Sequence, residues 1–173
     1  NENNGIDQIE KYKVLATLIK NCVYVFSGSK SDSEMWEPVI KSFLQHPDQR
    51  IRSNTLITIS ELSNGDIDFS DFIRSPHNRI ATDALIEHGK KDFSKYVFNE
   101  IQTFLNSDNG MFVASGLYAA AKLYCYHKIT DPIYFQANEH LKLIPEIIEK
   151  YLNHPNDQIK NRANIANAEI TAA

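Results

Sequence analysis

The sequence predicts an all-α chain in which helical hairpins stack one on another. Four short turn segments align without gaps, glycine and proline number only six each, and 42% of the residues are hydrophobic against 23% charged. Helices joined by short turns need few glycines and prolines, and this balance of apolar and charged residues is typical of an ordered globular domain. A length of 173 residues is enough for several small units to bury a continuous core.

The four aligned segments share an apolar residue, a turn, and a second apolar residue seven positions after the first. They are LQHPDQRI at 44–51, IRSPHNRI at 73–80, LNSDNGMF at 105–112 and LNHPNDQI at 152–159. The turn contains a proline in three of them, and proline ends one helix but is accepted in the first turn of the next. Four residues after the second apolar position comes a small or compact residue, which lets a neighbouring helix approach closely: Thr55, Ala84, Gly116 or Ala163. The pattern predicts a repeated helix–turn–helix.

The elements follow in order along the chain. An N-terminal amphipathic helix is expected at 6–26 and a polar loop at 27–33, followed by hairpins at 34–62, 68–90, 93–128 and 132–171. The last hairpin carries an insertion between Pro132 and Pro145. Side-chain oxygens that suit the exposed amides of a helix start lie at or near each second helix: Asp48, Asn78, Asn109, and Asn156 or Asp157. Gly89 is expected to end the second helix of the second hairpin.

Two of the segments resemble the HEAT repeat. LIPEIIEKYLNHPNDQIKNRA at 143–163 has the proline in the first helix, the turn proline, the apolar-plus-basic pair and the small residue four positions on. WEPVIKSFLQHPDQRIRSNT at 36–55 is nearly as similar, whereas the middle hairpins have Ala81 and Val113 in place of the basic residue. The resemblance covers roughly residues 34–170. It implies a right-handed α-solenoid of about four HEAT-like hairpins plus the N-terminal helix. The chain begins at Asn1 and both ends fall where a further repeat would fit, so we expect a part of a larger protein.

No group of residues in the sequence forms a catalytic or metal-binding motif. The six histidines include no HExxH pair, and His46 and His154 share one turn position, so they are expected to be turn residues. Cys22 and Cys125 have no CxxC spacing and are expected to be buried thiols. The loop at 27–33 lacks the spacing of a phosphate-binding loop. We therefore expect no cofactor, no metal and no enzymatic activity.

Charge and hydropathy limit the partners and the location. A net charge of -4 argues against nucleic acid as the main partner, because duplex binding usually requires a basic surface. No run approaches the roughly 20 apolar residues of a membrane span, and no secretory signal is visible. We expect a cytoplasmic, reducing location.

One set of positions on the second helices is a candidate binding surface. If these helices stack as in HEAT arrays, the set lies on the inner, concave face: Arg50, Asn54 and Thr58; Arg79, Asp83 and Glu87; Met111, Ser115 and Ala119; Gln158, Arg162 and Ala166. Mixed charge with an apolar patch at Met111 suits a protein or peptide partner, although an ordinary solvated face has the same composition. Aromatic residues gather nearby at Tyr118, Tyr124, Tyr126, Tyr134 and Phe135; most are expected in the core, and any exposed one is a candidate contact.

Three functions are compatible with this architecture. The first is a protein-interaction scaffold or regulatory module, because stacked repeats present extended concave surfaces. The second is a HEAT-like nucleic-acid-binding protein or an enzyme of the DNA glycosylase type; the acidity and the position of the single Trp36 weigh against it. The third is a spacer or oligomerisation element without a ligand, and the oligomeric state stays open.

Overall fold

The computed structural model describes residues 10–21, 37–62 and 68–173. Every regular element in these ranges is a helix, so the predicted all-α class is confirmed. The chain forms two compact units, residues 1–87 and residues 88–173, called unit 1 and unit 2 below. The loop expected at 27–33, the outer turns of the N-terminal helix, Cys22 and Trp36 lie outside the described residues.

The described part of unit 1 contains five helices. Helix α1 covers residues 10–21, and α2 covers residues 37–42 and continues into a 3₁₀ turn at Phe43–Gln45. Then come α3 (Gln49–Leu62), α4 (Ser70–Ile73) and α5 (Asn78–Lys91), whose last turn belongs to unit 2. Ile51, Leu56 and Ile59 of α3 are completely buried, so α3 supplies a large part of the core of this unit.

Unit 2 has three long helices, α6 (Lys95–Leu105), α7 (Gly110–Thr130) and α11 (Asp157–Ala172), and three short helices lie between α7 and α11. These are α8 (Pro132–Ala137), α9 (Glu139–Lys142) and α10 (Ile144–Glu149), so the insertion expected between Pro132 and Pro145 is itself helical. Asp131 and Asn138 start α8 and α9, because their side chains accept hydrogen bonds from the first exposed amides of those helices.

The four aligned segments fold into turns with the same hydrogen bonds. In each turn a backbone N–H donates to the carbonyl three residues earlier, in the pairs His46–Phe43, Ser75–Phe72, Ser107–Phe104 and His154–Tyr151. The side chain of that donor residue then accepts from the N–H two residues later: His46 Nδ1 at 3.1 Å, Ser75 Oγ at 3.2 Å, Ser107 Oγ at 3.2 Å and His154 Nδ1 at 3.1 Å. His46 and His154 are turn residues, as the sequence predicts.

Three of the predicted helix caps are present. Asp48, Asn109 and Asn156 each accept the N–H of the second residue after them, at 2.8, 3.0 and 2.9 Å. In the second turn the equivalent position is His77, and Asn78 is the first residue of α5. The expectation that Asn78 lies at the helix start is therefore confirmed.

The small residues of the four segments are buried between helices, as expected. Thr55, Ala84 and Ala163 have no exposed surface. At Gly116 a Cβ atom would lie 3.0 Å from Phe104 Cβ and 3.1 Å from Leu105 Cδ2, so α6 and α7 approach too closely for a side chain at this point. Since a short turn joins the two helices, they form an antiparallel hairpin.

Gly89 does not end α5, and that prediction is wrong. The helix continues to Lys91, and a Cβ atom at Gly89 would lie 2.7 Å from Leu123 Cδ1 and 3.0 Å from Val97 Cγ1. The backbone carbonyl of Gly89 also contacts the buried His127, 2.8 Å from Nε2. Glycine occurs here because three helices of unit 2 meet, and not because the chain leaves the helix.

Candidate interaction surface

Helices α7 and α11 lie side by side and run in the same direction. Gly110 at the start of α7 faces Ile159 near the start of α11, Tyr118 faces Arg162, and Lys122 faces Glu169 further along both helices. Ala119 and Ala166 are buried, at 0% and 1% exposure. Two members of the predicted concave set are therefore not on an accessible surface.

Eight residues form an accessible side of this helix pair, which we call the α7–α11 face. They are Met111, Ser115, Tyr118 and Lys122 on α7, and Gln158, Arg162, Ile165 and Glu169 on α11. Both sets have the spacing i, i+4, i+7, i+11, which places residues on one side of a helix. None of the eight is buried, and the apolar Met111 and Ile165 are 52% and 41% exposed.

Tyr118 is at the centre of the polar contacts on this face. The Arg162 guanidinium carbon lies 5.2 Å from the centre of the Tyr118 ring, and Lys122 Nζ lies 5.5 Å from it. Both cations are within the range at which the ring attracts positive charge. Lys122 Nζ also donates to Glu169 Oε1 at 3.3 Å. Among the described residues Arg162 has no carboxylate partner, and the contact found for its guanidinium is the Tyr118 ring.

The sequence predicts half of this face. Met111, Ser115, Gln158 and Arg162 are candidate residues from the sequence, and the structure brings all four to one side of α7 and α11. Lys122, Ile165 and Glu169 are missed as members of the site, and Tyr118 is named from the sequence only as an aromatic residue that becomes a candidate contact if it is exposed. Continuing the same helical spacing for two further positions along α7 and α11 identifies these residues. Tyr118 is harder to assign, because an aromatic residue on a helix is usually expected in the core.

The candidate residues in unit 1 are engaged with neighbouring helices. Asn54 is 9% exposed, and its Nδ2 donates to the Ala16 carbonyl of α1 at 2.7 Å. Thr58 is completely buried and donates in the same way to the Ile19 carbonyl at 2.9 Å. Both side chains therefore donate hydrogen bonds to backbone carbonyls of α1.

Arg79 and Asp83 belong to a polar cluster that joins α3 and α5. The hydroxyl of the buried Ser53 donates to Asp83 Oδ2, and Arg79 Nε donates to Ser53 Oγ at 3.1 Å. Arg79 also reaches Asn54 Oδ1 with Nη2, at 3.4 Å. Glu87, from the same predicted set, is 4% exposed. The cluster leaves part of Arg79 accessible, since 47% of its side chain is exposed.

Arg50 is paired within its own turn. Its Nη2 lies 2.7 Å from Asp48 Oδ2 and its Nε lies 3.1 Å from Asp48 Oδ1. The hydrogen bond from the Arg50 side chain is the largest cause that lowers the pKa of Asp48 to about 2, and burial opposes it. Arg50 therefore stabilises the start of α3.

Unit 2 also contains a cavity of about 270 Å³ at the ends of α5 and α7. It is lined by Lys90, Lys91, Tyr126, His127, Thr130, Asp131 and Tyr134. Lys90 Nζ lies 5.8 Å from the Tyr126 ring, and both lysines are in the last turn of α5, where cations interact favourably with the helix dipole. The helix dipole and the contact with Tyr126 therefore account for the two lysines at this position.

Tyr134 lines this cavity, and its hydrogen bonds link α8 to the segment between α5 and α6. Its hydroxyl donates to Asp92 Oδ1 at 3.0 Å and accepts from the Phe93 N–H at 2.9 Å and from Asn138 Nδ2 at 3.1 Å. Burial raises the pKa of the Tyr134 hydroxyl, and the hydrogen bond with Asp92 raises it further. The hydroxyl stays protonated and structural.

The other aromatic residues of the cluster are divided between core and surface. Phe135 is buried, Tyr124 is half-buried, and Tyr126 is 37% exposed. Cys125 is partly accessible, so the expected burial of this thiol is only partial, and desolvation is the main cause that raises its pKa. A thiol with a raised pKa is a poor nucleophile at neutral pH.

Across the described ranges, no three His, Cys, Asp or Glu side chains are close enough to hold a metal ion. In the same ranges, no helix combines the length and the apolar character that crossing a bilayer requires. No family model matches the chain, and no curated protein matches it at a significant level.

Proposed function

We propose that this chain is a HEAT-like, right-handed α-solenoid that acts as a protein-interaction module, and that its α7–α11 face binds a peptide or a segment of a partner protein. The four turns with equal hydrogen bonds and the parallel neighbours α7 and α11 support the repeat architecture. Stacked repeats of this kind present long surfaces made of several helices, without needing a catalytic pocket.

The observation that carries the proposal is the composition of the accessible α7–α11 face. Methionine, tyrosine and arginine are enriched at the centres of protein interfaces, and Met111, Tyr118 and Arg162 occur together here beside the exposed Ile165. The contact of Arg162 with the Tyr118 ring limits the freedom of both side chains before a partner arrives. A pre-ordered pair loses less conformational entropy on binding.

The test is a selection from a displayed library of random 16-residue peptides on the immobilised chain. We expect enriched peptides whose affinity falls at least about tenfold in the double variant M111S/I165S, because two exposed apolar contacts of about 1 kcal/mol each are lost. The variant I133S is the matched control, since Ile133 is an apolar residue of unit 2 that is 84% exposed and lies outside the face.

Two outcomes contradict the proposal. If no peptide is enriched, the chain is not a peptide-binding module. If the enriched peptides bind M111S/I165S and wild type equally, a different surface is used. A labelled 20-base-pair DNA duplex tested in parallel addresses the nucleic-acid alternative; salt-dependent binding below micromolar concentration would favour it.

A further inference from the structure

We infer that the partner segment carries a carboxylate that binds Arg162, next to an apolar side chain that contacts Ile165 or Met111. This inference rests on the proposed function of the α7–α11 face and specifies the chemistry of its partner. The partner segment is thus both acidic and apolar, although the chain that binds it has a net charge of -4 itself.

The pairing of the charged groups on the α7–α11 face supports the inference. The face has two cations, Lys122 and Arg162, and one carboxylate, Glu169, which is paired with Lys122 at 3.3 Å. Arg162 is left without an acidic partner among the described residues, so the face has an excess positive charge at one known position. A partner carboxylate would complete the pairing.

The chemistry of Arg162 fits a carboxylate in particular. A guanidinium has N–H groups along its edges that can donate two parallel hydrogen bonds to a carboxylate. The ring of Tyr118, 5.2 Å from the guanidinium carbon, also removes water from one side of the cation, which strengthens the attraction to an anion. Amide and hydroxyl partners gain less, because they carry no charge.

The apolar part of the partner follows from the neighbours of Arg162 along α11. Ile165 is one helical turn away, about 5 Å along the axis, and is 41% exposed. A partner carboxylate on Arg162 therefore places the side chains of the next few partner residues over Ile165. We expect enriched peptides to combine Asp or Glu with Leu, Ile, Val, Met or Phe within about four positions.

The experiment uses the peptides selected on the intact chain and measures their affinity for single variants by fluorescence anisotropy. R162Q should weaken binding about tenfold or more, because a charge-assisted hydrogen bond is lost while a side chain of similar length remains. E169Q should tighten binding severalfold at low salt, because it removes the carboxylate that competes for the cations of the face. R74Q is the matched control, an exposed arginine in unit 1.

The opposite effects of R162Q and E169Q separate recognition of charge from damage to the fold, because a structural defect weakens binding in both variants. The inference is overturned if the enriched peptides lack acidic residues, or if R162Q binds them as well as wild type. The proposed function survives that result as long as M111S/I165S still weakens binding at least about tenfold. If the chain instead sediments as a dimer that R162Q dissociates, the occupant is a second copy, and the inference of a separate acidic partner is wrong.

Discussion

At the scale of single residues, the turn before α3 shows how a charge and a cap act on the same atoms. Asp48 Oδ1 accepts from the Arg50 N–H at 2.8 Å while its two oxygens also bind the Arg50 side chain. The ionised carboxylate is favoured in the folded chain, and so the pKa of Asp48 is lowered to about 2. A carboxyl group whose pKa is lower when folded adds stability above its unfolded pKa, and this stability is lost as the pH falls towards the folded pKa.

We therefore expect D48N to be less stable than wild type at pH 7 and to approach it between about pH 4 and pH 2. Asparagine keeps the acceptor for the Arg50 N–H but carries no charge. Urea midpoints measured from pH 7 to pH 2 provide the test. The control is D108N, which changes an exposed aspartate of the third turn that has no ion pair among the described residues. A stability gap between D48N and wild type that is equal at both ends of the range contradicts the assignment.

At the scale of the elements, the packing of α5 against α6 and α7 depends on the missing side chain of Gly89. Alanine is the better helix former by about 1 kcal/mol, so the sequence alone suggests that a glycine inside a helix is unfavourable. The contact with Leu123 reverses that expectation, because Leu123 is completely buried and its Cδ1 would be 2.7 Å from a new Cβ.

We expect G89A to destabilise the chain by about 1–2 kcal/mol, because the cost of overpacking exceeds the gain in helix propensity. G110A is the matched control, since the nearest atom to a Cβ there is Ile159 Cδ1 at 3.7 Å, which is ordinary contact. Thermal unfolding of both variants decides the point. If G89A is as stable as wild type, Leu123 can shift and the packing is looser than the structure indicates.

The elements also show what the sequence could and could not predict. Proline, small and apolar positions predicted the turns and the buried small residues, because these depend on local geometry within about a dozen residues. The role of Gly89 depended on Leu123, more than thirty positions away, and no local pattern contains that information. Likewise Tyr118 could be recognised as part of a surface only once Arg162 was known to lie beside it.

At the scale of the whole molecule, the proposed HEAT-like stack has a thermodynamic consequence. In a stack, each repeat interacts mainly with its neighbours, so stability is close to a sum of local and nearest-neighbour contributions. The first and fourth turns contain equivalent hydrogen bonds from the histidine side chains, His46 and His154. Changes at these two turns should therefore act independently.

We expect H46A and H154A each to cost about 1 kcal/mol and the double variant to equal their sum within about 0.5 kcal/mol. Urea unfolding of the four proteins of this double-mutant cycle measures the coupling. H46S and H154S serve as controls, because serine supplies the same acceptor at the second and third turns. Strong coupling between the two sites would be inconsistent with a nearest-neighbour stack.

The interchange of histidine and serine at the four turns bears on how the proposed repeats would diverge. These turns require an acceptor at one point in space, and an imidazole nitrogen and a hydroxyl oxygen both meet that requirement. Selection then acts on a hydrogen-bonding role that several codons can encode, so neighbouring repeats can lose their residue identity while their backbones stay alike. A search that scores chemical role at each repeat position, in place of the residue itself, would recognise distant members of this architecture from sequence.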